Sequence, residues 1–183
     1  IGLVMLDADR GDVDEALRDG DLAMYAAKAA GKNRWKQFAP AMHDDLVARF
    51  TLEGELAVAL DEDQLDVHYQ PLVRLEGQRI VGVEALVRWN HPTRGLVPPE
   101  EFLVAAERGP LIHRLGAWIL RAACQQLMDW SVELGPDVLH EVAVNVSPRQ
   151  LLDPHFTEAV AEALAVTGLD PGRLVLEITE SAL

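Results

Sequence analysis

Val81-Gly82-Val83-Glu84-Ala85-Leu86-Val87-Arg88-Trp89 sorts into two sets when alternate residues are taken. Val81, Val83, Ala85 and Val87 are apolar, and Glu84, Leu86 and Arg88 oppose them. Side chains alternate faces along a strand, so the stretch reads as a β-strand with one covered face. The other face turns polar toward the C-terminal end. The alternation recurs downstream. Val142, Val144 and Val146 oppose Ala143, Asn145 and Ser147, and Leu174, Leu176 and Ile178 oppose Val175, Glu177 and Thr179. Leu65–Val73 reads as a further strand, with His68, Gln70 and Leu72 on one face.

Between the strands lie helical patterns. Pro98–Glu107 reads as a short helix, Pro110 to about Leu134 as a long one, and His155–Thr167 as a third. Glu76-Gly77 turns between the first two strands, and Asn90–Gly95 reads as a loop rich in breakers. Strands separated by such helices imply βα units with parallel pairing. Four strands and at least three helices after residue 63 make about half of an eight-stranded βα barrel, which needs ~250 residues. Upstream, Asp21–Ala30 reads as a helix closed by Gly31. Residues 41–60 read as an amphipathic helix carrying Leu46, Phe50, Leu52, Leu56 and Leu60. Both ends read as cut: the chain starts inside a strand-like run without Met and stops just past another.

Composition narrows the classes. The chain has 183 residues, 49% apolar and 25% charged, the balance of a globular protein with a core. Sixteen basic against 30 acidic residues give a net charge of −14. That surface suits neither duplex DNA nor anionic lipid, which are bound by clustered Lys and Arg. No apolar run approaches the ~18–20 residues of a membrane span, so no membrane contact is expected from this segment. The single Cys124 cannot form an internal disulfide, and a cytoplasmic location is expected. Cys124, Trp118 and Trp130 read as packing residues, and His91 as a turn residue.

The polar set selected by parity is Gln70, Glu84, Arg88, Asn145, Ser147 and Glu177. Each has a plain reading. Glu84 and Arg88 could form a structural ion pair, Asn145 could cap the turn before Pro148, and Glu177 could face solvent. His68 shares the face of Gln70 and could join the site. Four strands presenting such groups at one end argue against independent explanations. Carboxylates and an amide oxygen at one mouth are hard donors suited to Mg²⁺ or Mn²⁺.

The ordered motifs resemble those of the EAL domain family. They are Tyr69-Gln70-Pro71-Leu72, Val83-Glu84-Ala85-Leu86-Val87-Arg88-Trp89, His91-Pro92, Leu115-Gly116, Asn145-Val146-Ser147 and Glu177-Ile178-Thr179-Glu180. The resemblance implies an α/β fold, a partial (β/α)8 TIM-type barrel covering about the first half of the domain. It implies hydrolysis of cyclic di-GMP to pGpG with two Mg²⁺ or Mn²⁺ ions. Carried over by residue, Glu84, Asn145 and Glu177 are metal ligands, with Glu84 and Glu177 the catalytic carboxylates. Gln70 and Arg88 contact the nucleotide, and Glu180 supports a neighbouring loop. A homodimer is expected for the complete protein, whose other segments could anchor it to a membrane.

Ala23-Met24-Tyr25, Ala27-Lys28, Gly31-Lys32-Asn33 and Phe38 are similar to the end of a GGDEF domain. This implies a remnant of that α/β domain over residues 1–39, a linker helix over 40–50, and the N-terminal part of an EAL domain over 51–183. Lys32 stands where Arg is common, and the signature GGDEF loop is missing, so no cyclase activity is expected. Gly109-Pro110 stands where the family commonly has Gly directly before Leu-Ile. The family's Asp-Asp pair falls after Leu183, so this fragment is expected to be inactive. The competing reading is a degenerate EAL domain, a non-enzymatic nucleotide sensor or protein-interaction module.

Overall fold

The computed structural model describes residues 1–6, 12–29, 31, 33–135 and 138–178. They fall into two compact units, Ile1–Leu52 and Glu53–Leu183. In the first, strand β1 (Gly2–Leu3) pairs in parallel with β2 (Lys36–Gln37). Helix α1 (Val13–Ala29) connects them, with acids in its first turn and Lys28 in its last, the order the helix dipole favours. Helix α2 spans Ala41–Asp61.

The second unit is built on a sheet. Strand β3 (Leu65–Arg74) turns at Leu75–Gln78 into β4 (Arg79–His91). The turn places Gly77 and Gln78 at φ +85° and +48°, the left-handed region that glycine enters freely. Short β5 (Gly95–Val97) folds back on the end of β4. Helices α3 (Pro99–Ala106) and α4 (Leu111–Leu134) then lead to β6 (Glu141–Val146). Helices α5 (Pro148–Leu151) and α6 (Phe156–Thr167) lead through a 3₁₀ turn to β7 (Leu174–Ile178). The strand order is β3-β4-β6-β7, and the sheet does not close into a barrel among the described residues.

Two expectations are corrected here. In this sheet only β4, β6 and β7 run parallel; β3 runs antiparallel to β4. The reason is the connection: a four-residue turn cannot make the crossover of a dozen or more residues that parallel pairing needs. The second correction concerns residues 90–95, expected as loop. They belong largely to a hairpin that pairs Trp89, Asn90 and His91 with Val97, Leu96 and Gly95.

The apolar face of the sheet lies under the helices, as alternation predicts. Val83, Ala85, Val87, Val142, Val144 and Val146 are buried, together with Leu115, Leu120 and Leu127 of α4. Trp89 is fully buried and meets Phe102 edge-on, ring centres 5.5 Å apart. Trp130 packs edge-on against Tyr69 at 4.8 Å, and the Tyr69 hydroxyl donates to the Ala122 carbonyl. Burial, reinforced by nearby Asp66, drives the Tyr69 phenol well above its ordinary value. Cys124 is fully buried, and burial pushes its thiol up to about 11. Gly116 lets α5 approach α4, because a Cβ there would run into the side chain of Gln150.

Candidate active site

Register places the polar residues. Across the β3–β4 hairpin, Gln70 lies opposite Glu84, His68 opposite Leu86 and Asp66 opposite Arg88. Directly opposed residues share a face. In the parallel part, Glu84 is level with Ala143, and Asn145 is level with Glu177. The open face of the sheet therefore carries Gln70, Glu84, Asn145 and Glu177 on four consecutive strands, with Arg88 four residues beyond Glu84. Gln70 reaches this row from a strand running the opposite way. The expected alignment of four C-terminal strand ends holds only for β4, β6 and β7.

The centre of the row is a hydrogen bond of 2.7 Å from Asn145 Nδ2 to Glu84 Oε1. A carboxylate can only accept here, so the amide must turn its NH₂ to Glu84 and its Oδ1 elsewhere. This answers two plain readings. Among the described residues no ion pair joins Glu84 to Arg88, whose guanidinium donates to the Val87 carbonyl at 2.8 Å. Nor does Asn145 cap the following helix. Ser147 does, accepting from Gln150 N at 3.3 Å while Gln150 Oε1 accepts from Ser147 N at 3.0 Å. Ser147-Pro148-Arg149-Gln150 is a capping box legible in sequence, with Pro at the first helical position.

Glu84, Arg88 and Glu177 are half-buried, and Gln70 and Asn145 are exposed. Glu84 and Glu177 sit on strands two apart, at ~4.8 Å per strand spacing, with Asn145 between them. His68 is exposed and lies 3.7 Å from Asp66. Asp66, which parity alone had not singled out, is recoverable only once the hairpin register is known. Glu180, like Lys32 in the first unit, lies outside the described residues. A cavity of about 230 Å³ opens beside the row, lined by Leu86, Arg88, Asn145, Leu103, Glu107 and Ile112 among others.

The donor set fits a hard divalent cation in kind: two carboxylates and an amide oxygen. It is a partial set, since among the described residues no three His, Cys, Asp or Glu side chains group as a metal cage. No helix among the described residues is long and apolar enough to cross a membrane.

Known proteins resemble this chain in sequence and in fold. An uncharacterized signaling protein of Caulobacter vibrioides is 44% identical over 181 residues, covering 98% of this chain and 22% of its own length. The bifunctional diguanylate cyclase/cyclic di-GMP phosphodiesterase MucR of Pseudomonas aeruginosa is 37% identical over 181 residues, covering 99% of this chain and 26% of MucR. The chain thus spans about a quarter of the length of these relatives. Among solved structures, the PaMucR phosphodiesterase in complex with c-di-GMP superposes with a TM-score of 0.66 at 40% identity, over 71% of this chain and 52% of that one. The EAL domain family profile matches residues 53–183. On that match, spanning the sheet and its helices, the chain belongs to the EAL domain family.

Proposed function

We propose that residues 51–183 are the N-terminal part of a cyclic di-GMP phosphodiesterase, whose activity requires the rest of the domain. The observation that carries the reading is the Asn145–Glu84 hydrogen bond, which joins two oxygen donors on adjacent strands in line with Glu177. Glu84, Asn145 and Glu177 would hold Mg²⁺ or Mn²⁺, two ions in the complete domain. When bound, such ions supply Lewis-acid stabilisation of a phosphodiester displacement and an activated water. The chain's own residues do the remainder. Asn145 orients the Glu84 carboxylate. Arg88 offers paired donors to a phosphate oxygen, which a lysine would do less well. Gln70, opposite Glu84, offers an amide to the nucleotide. Glu180 is assigned to loop support. Local cations such as Arg88 offset the net charge of −14 against an anionic ligand.

The same reading extends to the surroundings. Residues 1–39 are taken as a GGDEF remnant and 40–50 as a linker helix, on the motifs quoted above. The protein is taken to act in the cytoplasm as a homodimer in a signalling protein. The test is conversion of cyclic di-GMP to pGpG by the intact protein with saturating Mn²⁺. Glu84→Ala should abolish turnover while nucleotide binding persists. Turnover at the parental rate in Glu84→Ala would remove the metal role, and a parent that binds without turnover would establish the sensor reading instead.

A further inference from the structure

We propose that His91 is a positioning residue for the nucleotide site, holding the end of β4 that carries Arg88 through a contact with Glu55 of α2. The proposal rests on the reading of Arg88 as a phosphate-binding residue. His91 faces the helix side of the sheet, where its side chain is only 6% exposed. Its Nδ1 accepts the backbone N–H groups of Thr93 and Arg94, both at 3.2 Å. Accepting these N–H groups commits the Nδ1 lone pair to the turn and leaves Nε2 to face Glu55. Nε2 lies 3.4 Å from Glu55 Oε2.

The neighbours complete a clamp. Trp89 packs on the His91 ring at 5.1 Å and donates from Nε1 to Gln64 Oε1 at 3.4 Å. Asn90 N donates to the Gln64 carbonyl at 2.9 Å. Arg94 pairs with Glu101 of α3 at 2.6 Å, tying down the far side of the turn. The strand end is thus held by Glu55 on α2 and by Gln64 just after it. On the open side Arg88 makes no ion pair among the described residues. A misplacement of ~1 Å in a binding group can cost about 100-fold, so a loosened β4 end would reach Arg88 although His91 never touches the nucleotide.

The test measures cyclic di-GMP affinity, KM and kcat in the intact protein for Glu55→Ala, His91→Asn, Arg88→Ala and the Arg88→Ala/Glu55→Ala pair. The Glu55 side chain is 41% exposed, so its truncation spares the fold. Asparagine keeps an acceptor near Nδ1 and lacks the ring nitrogen that meets Glu55. Glu55→Ala and His91→Asn should each weaken affinity about 10-fold, raising KM more than they lower kcat. The pair should bind no more weakly than Arg88→Ala alone, because the contact acts through Arg88. Additive losses in the pair, or normal affinity in Glu55→Ala and His91→Asn beside an impaired Arg88→Ala, would overturn the proposal and leave the Arg88 reading standing. A lowered melting temperature with unchanged affinity would also overturn it, marking a packing contact alone. Unchanged affinity in Arg88→Ala would overturn the reading beneath it.

Discussion

β4 has two kinds of neighbour, and they bring side chains to the same face by different routes. On one side β3 arrives through a tight turn and pairs antiparallel, setting Gln70 opposite Glu84. On the other, β6 arrives by way of α3 and α4 and pairs in parallel, setting Asn145 one step beyond Glu84. On the crossover side the exposed Asn145 donates directly to the Glu84 carboxylate. On the hairpin side Gln70, equally exposed, makes no side-chain hydrogen bond among the described residues. The difference teaches that shared facing is insufficient for shared duty. On the proposed reading the crossover side holds a carboxylate in place and the hairpin side meets a ligand.

Four measurements break or sharpen that contrast. The largest effect should come from Asn145→Ala set against Gln70→Ala in the intact protein. On the proposed reading of Asn145 as a metal ligand, its loss should cost several kcal/mol of barrier, on the order of 1,000-fold in kcat. Losing one amide contact should cost about 1 kcal/mol of binding, read in KM. Equal kcat losses would erase the contrast.

Gly116→Leu comes next. Its side chain would displace Gln150, overpacking the α4–α5 contact and breaking the capping box, for a loss of about 3 kcal/mol in urea unfolding. A neutral result would mean that α5 is free to move without cost. Arg173→Ala removes donors to the carbonyls of Leu139 and His140 and to Ser131 Oγ, at 2.7, 3.1 and 3.0 Å. These hold the start of β7, and their loss should cost about 2 kcal/mol by the same measurement.

The smallest effect concerns Asp153, beside the crossover side. Its carboxyl is held below the ordinary 3.8, first by the backbone N–H of His155, with the His155 and His113 rings adding to the effect. A depressed folded value adds stability that is present above the unfolded value and lost as pH falls through the folded one. Melts of Asp153→Asn and the parent should therefore differ at neutral pH and converge in acid below 3.8. A gap that persists undiminished at low pH would assign the effect to packing.

Much of the sheet is legible in the sequence. Parity separated Val83, Ala85 and Val87 from Glu84, Leu86 and Arg88, and it separated Val144 from Asn145, because alternation is a property of each strand alone. Helix α4 was legible for the same reason: its apolar residues recur at helical spacing, and Pro110 and Gly135 bracket it. The direction of β3 does not follow from a count of strands, because the tight turn at Glu76-Gly77 sets it. β5 was missed because a three-residue strand in a stretch of Asn, Pro, Thr and Gly carries no periodicity to read.

By itself, then, the sequence determined which residues of each strand face together, where the longer helices lie, and the ordered motifs that mark the EAL domain family. Those are set by local stereochemistry and by residue order along the chain. The tertiary structure alone decided which strands are neighbours and at what offset. It put Asn145 rather than Arg88 against Glu84, Asp66 across from Arg88, Gln150 into the space left by Gly116, and Glu55 beside His91. Each of these joins residues far apart in the chain. Such contacts follow from burying the apolar faces together while satisfying the polar groups at their edges, a balance struck over the whole unit rather than within any one segment.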